Sequence, residues 1–274
     1  MVGSLVIVYP TSHQGGEFVL RHKGREWAID ANILTHSQPS TSIAYVAFYS
    51  DIEHEVLKVS SGCRVTLTYN LYLVDSTPGV QAPSVFPNLR DIPNLQSALH
   101  KLLGSSEFLP DGGTLGFGLA HLYPITFETK LRDMVKYLKG EDAHVYRACR
   151  ELQLQPSLRM VYDGEEGRGI MLGKVVEQPD YDYMDSNYRE YLIKALGGTP
   201  VNLNNKILAQ QSDWVEHYRV KKWEQITWVT PFREGNRLRD ASLAYGNDAV
   251  SLEYVYCSPC LFVPVVPASD RVSP

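Results

Sequence analysis

The chain has 274 residues, 44% of them apolar, with 26 Lys and Arg against 31 Asp and Glu and a net charge of −5. That length and apolar content fit one large or two average folded domains and exclude a disordered chain. The scattered basic residues exclude a basic stripe for nucleic acid or an anionic membrane surface, and no apolar run nears the roughly 18 residues that span a bilayer.

The first ten residues, MVGSLVIVYP, lack the basic start of a signal peptide, so a cytoplasmic or nuclear location is expected. Residues 4–10, 17–22, 25–30, 42–49 and 63–74 read as antiparallel strands, with a turn at Lys23-Gly24 joining the second and third. The Pro-, Ser-, Gly- and Asn-rich stretch from Asp75 to Pro93 reads as a connection. It divides a β domain over 1–75 from a mixed helix and strand region over 94–274, with a linker at 76–93.

Helical spacing recurs in Leu95, Leu99, Leu102 and Leu103 and again in Leu131, Met134, Val135 and Leu138. Further helices are expected over 142–152 and over 187–196, the latter closed by Gly197-Gly198, and strands over 158–162, 226–232 and 250–266. No long repeat is present, so the expected class is α+β and β-rich.

Cys257 and Cys260 form the one C-x-x-C pair, and a single pair cannot complete a four-ligand zinc site. Their apolar, strand-like surroundings predict two buried thiols beside a proline bulge.

The stretch YVAFYSDIEHEV sets His54 at a strand end between two glutamates, and Arg64 enters the next strand after a Gly62 turn. Hairpin geometry predicts that the two approach each other. Arg64 and Thr66 share a face by the two-residue period, which puts a guanidinium fork beside a hydroxyl. Such a fork suits a carboxylate, and a neutral imidazole suits a first-row metal. Equally, His54 reads as a polar residue leaving a strand, and Arg64 as a surface partner of Asp51, Glu53 or Glu55.

Histidine followed about ten residues later by Arg-x-Thr resembles the second half of the site in iron(II) and 2-oxoglutarate dependent oxygenases. The spaced elements GSLV from Gly3, HQGGEF from His13, FYSDIEHEV from Phe48 and GCRVTL from Gly62 are similar to the prolyl 4-hydroxylase type, and closest to a predicted fungal group. Gly113 to His121 and Ala244 to Ala249 also resemble that group.

The resemblance implies a partial double-stranded β-helix, or jelly roll, over residues 1–75. It implies His54 as the distal iron ligand, Arg64 as the anchor of the 2-oxoglutarate carboxylate and Thr66 as its helper. Iron(II) and 2-oxoglutarate, with ascorbate as an accessory reductant, are the implied cofactors, and the implied partners are the small-molecule co-substrate and a protein substrate.

The resemblance also places a His-x-Asp ligand pair some 25 to 30 residues before Gly15, and only 14 residues precede it. Three readings follow: an oxygenase, a non-catalytic β-helix binding module, and a chain whose Met1 is an internal methionine. His13, Glu17, His22 and Asp30 are conceivable substitute ligands, although the resemblance makes His13 a turn or pocket residue. Lost strands would leave an exposed sheet edge next to residues 4–9. His121, His144, Glu141-Asp142 and Asp180 to Tyr183 read as scaffold or solvated groups.

Overall fold

Gly3–Val8 forms β1, whose Val6 and Val8 point one way and whose Leu5 and Ile7 point the other. It is followed by β2 (His13–Gly15), β3 (Phe18–His22), β4 (Arg25–Ile29), α1 (Ala31–His36), β5 (Ala44–Tyr49), β6 (Glu53–Val56), β7 (Val59–Gly62) and β8 (Thr66–Leu71). The computed structural model describes residues 1–36, 42–72, 91–163, 167–176, 188–205, 223–233, 240–245, 250–255 and 257–271. The chain divides into two units, residues 1–84 and 85–274.

In the first unit the strands form antiparallel sheets of order β5-β1-β8 and β4-β3-β6, with β2 and β7 paired separately. Val6, Val8, Ala44 and Val46 from one sheet meet Phe18 from the other and Ala31 from α1 in a common core. The β3–β4 hairpin turns at Lys23 and Gly24, both with positive φ, the geometry that matches strand twist in a two-residue turn. Asp30 caps α1, its Oδ1 accepting from the backbone N–H of Asn32 at 2.9 Å.

One expectation changes here. β1 is not beside an open edge, because β5 and β8 pair with it on either side over all six residues. The face of that sheet turned from the core is also apolar: Tyr45, Ile7 and Leu67 form one row, and Ala47, Leu5 and Tyr69 the next.

The second unit contains α2 (Asp91–Leu103), β9 (Gly113–Gly118), α3 (Leu131–Met134) and α4 (Gly140–Glu151). It continues with β10 (Ser157–Asp163), β11 (Arg168–Leu172), α5 (Tyr188–Glu190), β12 (Thr199–Asn202), β13 (Ile226–Thr230), β14 (Asp240–Tyr245), β15 (Val250–Val255) and β16 (Cys257–Val265). Six of these strands make one sheet of order β12-β11-β10-β16-β9-β13, in which only β13 and β9 run parallel.

The sheet curls until its two ends meet. Val201 of β12 bridges to Glu224, and the Asn202 side chain accepts from the N–H of Ile226 at 2.6 Å while donating to its carbonyl at 2.8 Å. One face packs Val161, Val201, Ile226, Trp228, Cys260 and Phe262 together. The other carries a larger core with Leu99 of α2, Leu131 of α3, Cys149 of α4, and Leu192 just beyond α5. The observed class is mixed α and β, rich in β.

Cys257 and Cys260 are buried on β16, three residues apart and therefore on opposite faces: Cys257 packs in the larger core and Cys260 in the smaller. No bulge accompanies Pro259, since pairing with β10 runs unbroken from Cys257 to Phe262. Burial pushes the Cys149 thiol up to about 11 and raises that of Cys260 as well. Since the thiolate is the reactive form, an aromatic disulfide reagent near neutral pH is expected to titrate exposed Cys63 quickly and the other three cysteines only after denaturation. A second fast thiol in the native protein would contradict this arrangement.

Candidate functional site

His54 lies within β6, opposite Leu20 of β3, and not at the end of the preceding strand. β6 and β7 do not form a hairpin, because β6 pairs with β3 and β7 with β2. His54 is therefore carried by the β4-β3-β6 sheet, whereas Arg64 follows β7, which pairs with β2.

Alternation assigns the faces. Leu20 packs on the common core, so its partner His54 is turned to the same side of the sheet, where it remains exposed. The imidazole stacks on Phe18 with centroids 6.1 Å apart and 8° between planes, and tilts against Phe48 at 4.6 Å. Its Nδ1 is 3.1 Å from the Ile52 carbonyl oxygen, an acceptor, so the proton sits on Nδ1 and Nε2 is left to act as a ligand.

Glu53 and Glu55 point the opposite way and are taken up by Arg21. Its Nη2 donates to Glu55 at 2.6 Å and its Nε to Glu26 at 2.6 Å, with Glu53 at 3.7 Å. These bonds raise the Arg21 guanidinium above its ordinary value, Glu55 contributing most. The glutamates beside His54 are thus engaged on the outer side, and the reading of Arg64 as partner of Glu53 or Glu55 gives way to Arg21.

Arg64 lies between β7 and β8, half-buried. Its stem crosses Gly16 so closely that a Cβ at that glycine would sit 2.9 Å from Arg64 Cδ. Its Nε and Nη2 are both buried, and neither has a hydrogen-bond partner among the described residues. Desolvation pulls the guanidinium below its ordinary value. Two adjacent N–H groups on one side of a guanidinium form the fork that accepts a carboxylate, and a buried cation left so is costly. Thr66 opens β8 opposite buried Val8, which turns its side chain to the inner face of that sheet.

The other conceivable metal ligands are placed differently. Asp30 caps α1. His22 closes the β3–β4 hairpin opposite Arg25. Glu17 lies between β2 and β3, where its carbonyl accepts from Leu57. His13, which the resemblance made a turn or pocket residue, is buried on β2 and not in a turn. In the second unit, Asp142 is buried and accepts from the N–H groups of Ala120 and His121, so the scaffold reading there describes its contacts. Asp180 to Tyr183 and the 246–249 part of the Ala244–Ala249 stretch lie outside the described residues, as does most of the 76–93 linker.

An iron(II) site of the facial-triad kind takes three protein ligands. Among the described residues no group of three or more His, Cys, Asp or Glu is placed to hold a metal, and the sequence contains no His-x-Asp. The residues present fit a carboxylate at Arg64 and do not by themselves fit such an iron centre. Family models, curated proteins and solved structures all return no match to this chain. No helix among the described residues is long and apolar enough to cross a membrane.

Proposed function

We propose that the first unit is a double-stranded β-helix of the iron(II) and 2-oxoglutarate oxygenase type, whose Arg64 side binds the distal carboxylate of a small diacid. The observation that carries this reading is the buried, unpartnered Nε and Nη2 of Arg64. Arg64 holds the carboxylate, Thr66 flanks it with a hydroxyl, and Phe18 and Phe48 wall the imidazole of His54.

Strand nesting supports the fold part of the reading. β1 neighbours β8 and β3 neighbours β6, so the chain passes repeatedly between two sheets like a long hairpin folded over on itself, the jelly-roll pattern. His54 takes the place of a distal iron ligand with Nε2 as the donor atom. Iron would supply the oxidation of a C–H bond, for which two further protein ligands are needed.

The shortage of ligands favours a second reading, a β-helix module that binds a diacid or a protein without turnover. The two separate in an anaerobic iron(II) and 2-oxoglutarate titration. The oxygenase reading expects a charge-transfer band lost in His54→Ala, and its absence in the native chain would leave the binding module.

Both readings share one expected result. Arg64→Met should weaken 2-oxoglutarate binding by roughly 10- to 150-fold, from charge-assisted bonds worth about 1.5–3 kcal/mol. Arg64→Lys keeps the charge but not the fork and should recover only part of that loss. Equal affinities of the native chain and Arg64→Met in calorimetry would remove Arg64 from the site.

A further inference from the structure

β1 lies between β5 and β8, and the residues aligned across the three strands form rows on the side turned from the core: Tyr45, Ile7 and Leu67; Ala47, Leu5 and Tyr69; Tyr49, Gly3 and Leu71. None of the nine carries a charge. Four of the side chains stand out in solvent, Tyr45 at 73% exposure, Tyr69 at 50%, Leu67 at 42% and Leu71 at 36%. A sheet with one face in water ordinarily turns its apolar residues inward and its polar ones outward. β8 does the reverse, since its core-side positions are Thr66, Thr68 and Asn70. A contiguous apolar face left in water marks a contact surface.

The area of the face bears on what covers it. At the 150–250 Å² that an aromatic side chain can bury, Tyr45 and Tyr69 alone hold about 250 Å² of exposed surface. The aliphatic residues of the rows, with Tyr49 and with Tyr9 and Val65 at one end, bring the face to roughly 550 Å². Two such faces pressed together remove about 1,100 Å² from water, just above the area that a specific contact between two chains needs.

The shape of the face fits a second copy of itself. Sheets packed face to face keep their strands within about 30° of each other. Under a two-fold axis close to the line of β1, each row lies over its own copy with β5 against β8. Ala47 then faces the second copy's Tyr69, Tyr45 faces its Leu67 and Tyr49 its Leu71, while Leu5 and Ile7 each face themselves. Every tyrosine meets a smaller side chain. An axis across the strands would instead set Tyr69 on Tyr69 and Ala47 on Ala47, a clash beside a hole in a contact that has to pack as densely as a core. The first arrangement is isologous and self-complementary, as a closed pair requires.

We infer that the β5-β1-β8 face is the contact surface of a symmetric dimer, in which two copies of this chain pack sheet on sheet with Ala47 of each against Tyr69 of the other. The contact uses neither Arg64 nor His54. An interface at the small end of the specific range holds weakly, with a Kd of about 1–100 µM.

Sedimentation equilibrium of the full chain over about 1–200 µM should show the average mass rising from 30.9 kDa towards twice that value. Tyr45→Lys and Leu67→Glu each place an unpaired charge in the contact twice, once on either side of the axis, and should weaken self-association by about 100-fold or more. Both positions are exposed, so the far-UV circular dichroism of the variants should match that of the native chain. Mixed in equal amounts, the two variants should associate again at close to the native affinity. The axis brings the new ammonium of one chain to the new carboxylate of the other and keeps the native contact between Leu67 and Tyr45 at the second place.

A native chain that stays monomeric over this range overturns the inference and leaves the face to a partner of another kind. A dimer that persists in both variants overturns it too, since its contact must lie elsewhere. So does a mixture of the two variants that remains monomeric, which excludes the pairing of β5 against β8.

Discussion

Replacing Trp228 by alanine is expected to destabilise the second unit by about 3–5 kcal/mol, the usual range for emptying a buried tryptophan site. Trp228 is 6% exposed and meets Phe262 edge-on at 5.7 Å and Phe232 at 5.9 Å. It also ties the ends of the curled sheet: its indole N–H donates to the Asn202 carbonyl at 2.9 Å and its backbone N–H to Asn205 Oδ1 at 2.7 Å.

Relaxation cannot easily refill the site, because Gly116 of β9 lies against the indole so closely that a Cβ there would be 2.9 Å from its Cε3. Thermal unfolding followed by far-UV circular dichroism should show a Tm lower by roughly 6–20 °C, at about 2–4 °C per kcal/mol for a unit of this size. Trp228→Phe keeps the ring contacts and loses one hydrogen bond, and should cost only about 1–2 kcal/mol. Equal effects of the two substitutions would mean that ring packing does not hold the sheet closed.

The parts of this architecture that sequence reasoning reached are those where one periodicity dominates. Leu95, Leu99, Leu102 and Leu103 are spaced for a helix, and α2 spans them. β10 covers the expected 158–162 strand. β9 was not read as a strand because GTLGFG carries three glycines, which usually mark loops; here Gly116 makes room for Trp228 on the sheet. The closure by Asn202 and Asn205 was equally hidden, since asparagines imitating a neighbouring strand leave no periodic trace.

In the first unit, residue type and spacing picked out Arg64 but left open whether Glu53 and Glu55 would engage it. Arg21 competes for the same glutamates, and only strand pairing reveals that it wins. β6 escaped notice because EHEV is short, polar and exposed throughout, and the turn before it contains neither glycine nor proline. Once EHEV is a strand, alternation alone turns Glu53 and Glu55 away from His54. His13 carried no signal of burial, since β2 is three residues long.

Asp142→Ala is the second large loss expected, about 3–5 kcal/mol, through unsatisfied donors and not through a cavity. Asp142 lies in the first turn of α4 at 5% exposure. Its Oδ1 accepts from the Ala120 N–H at 2.7 Å, and its Oδ2 from the His121 N–H at 3.0 Å and the Tyr123 hydroxyl at 2.8 Å. The Tyr123 oxygen in turn accepts from the Lys139 N–H at 2.9 Å, and Lys139 Nζ donates to the Leu122 carbonyl at 2.9 Å.

One carboxylate therefore fixes residues 120–123 to the start of α4, and removing it strands two backbone donors and a hydroxyl in a dry setting. Asn in its place supplies one acceptor oxygen for three donors and should recover less than half of the loss. Tyr123→Phe should cost about 1–2 kcal/mol alone and much less on top of Asp142→Ala, because the two side chains act as one network. Fully additive losses in that double-mutant cycle, read by chemical denaturation, would show the two contacts to be independent and would overturn this account of how residues 120–123 are held.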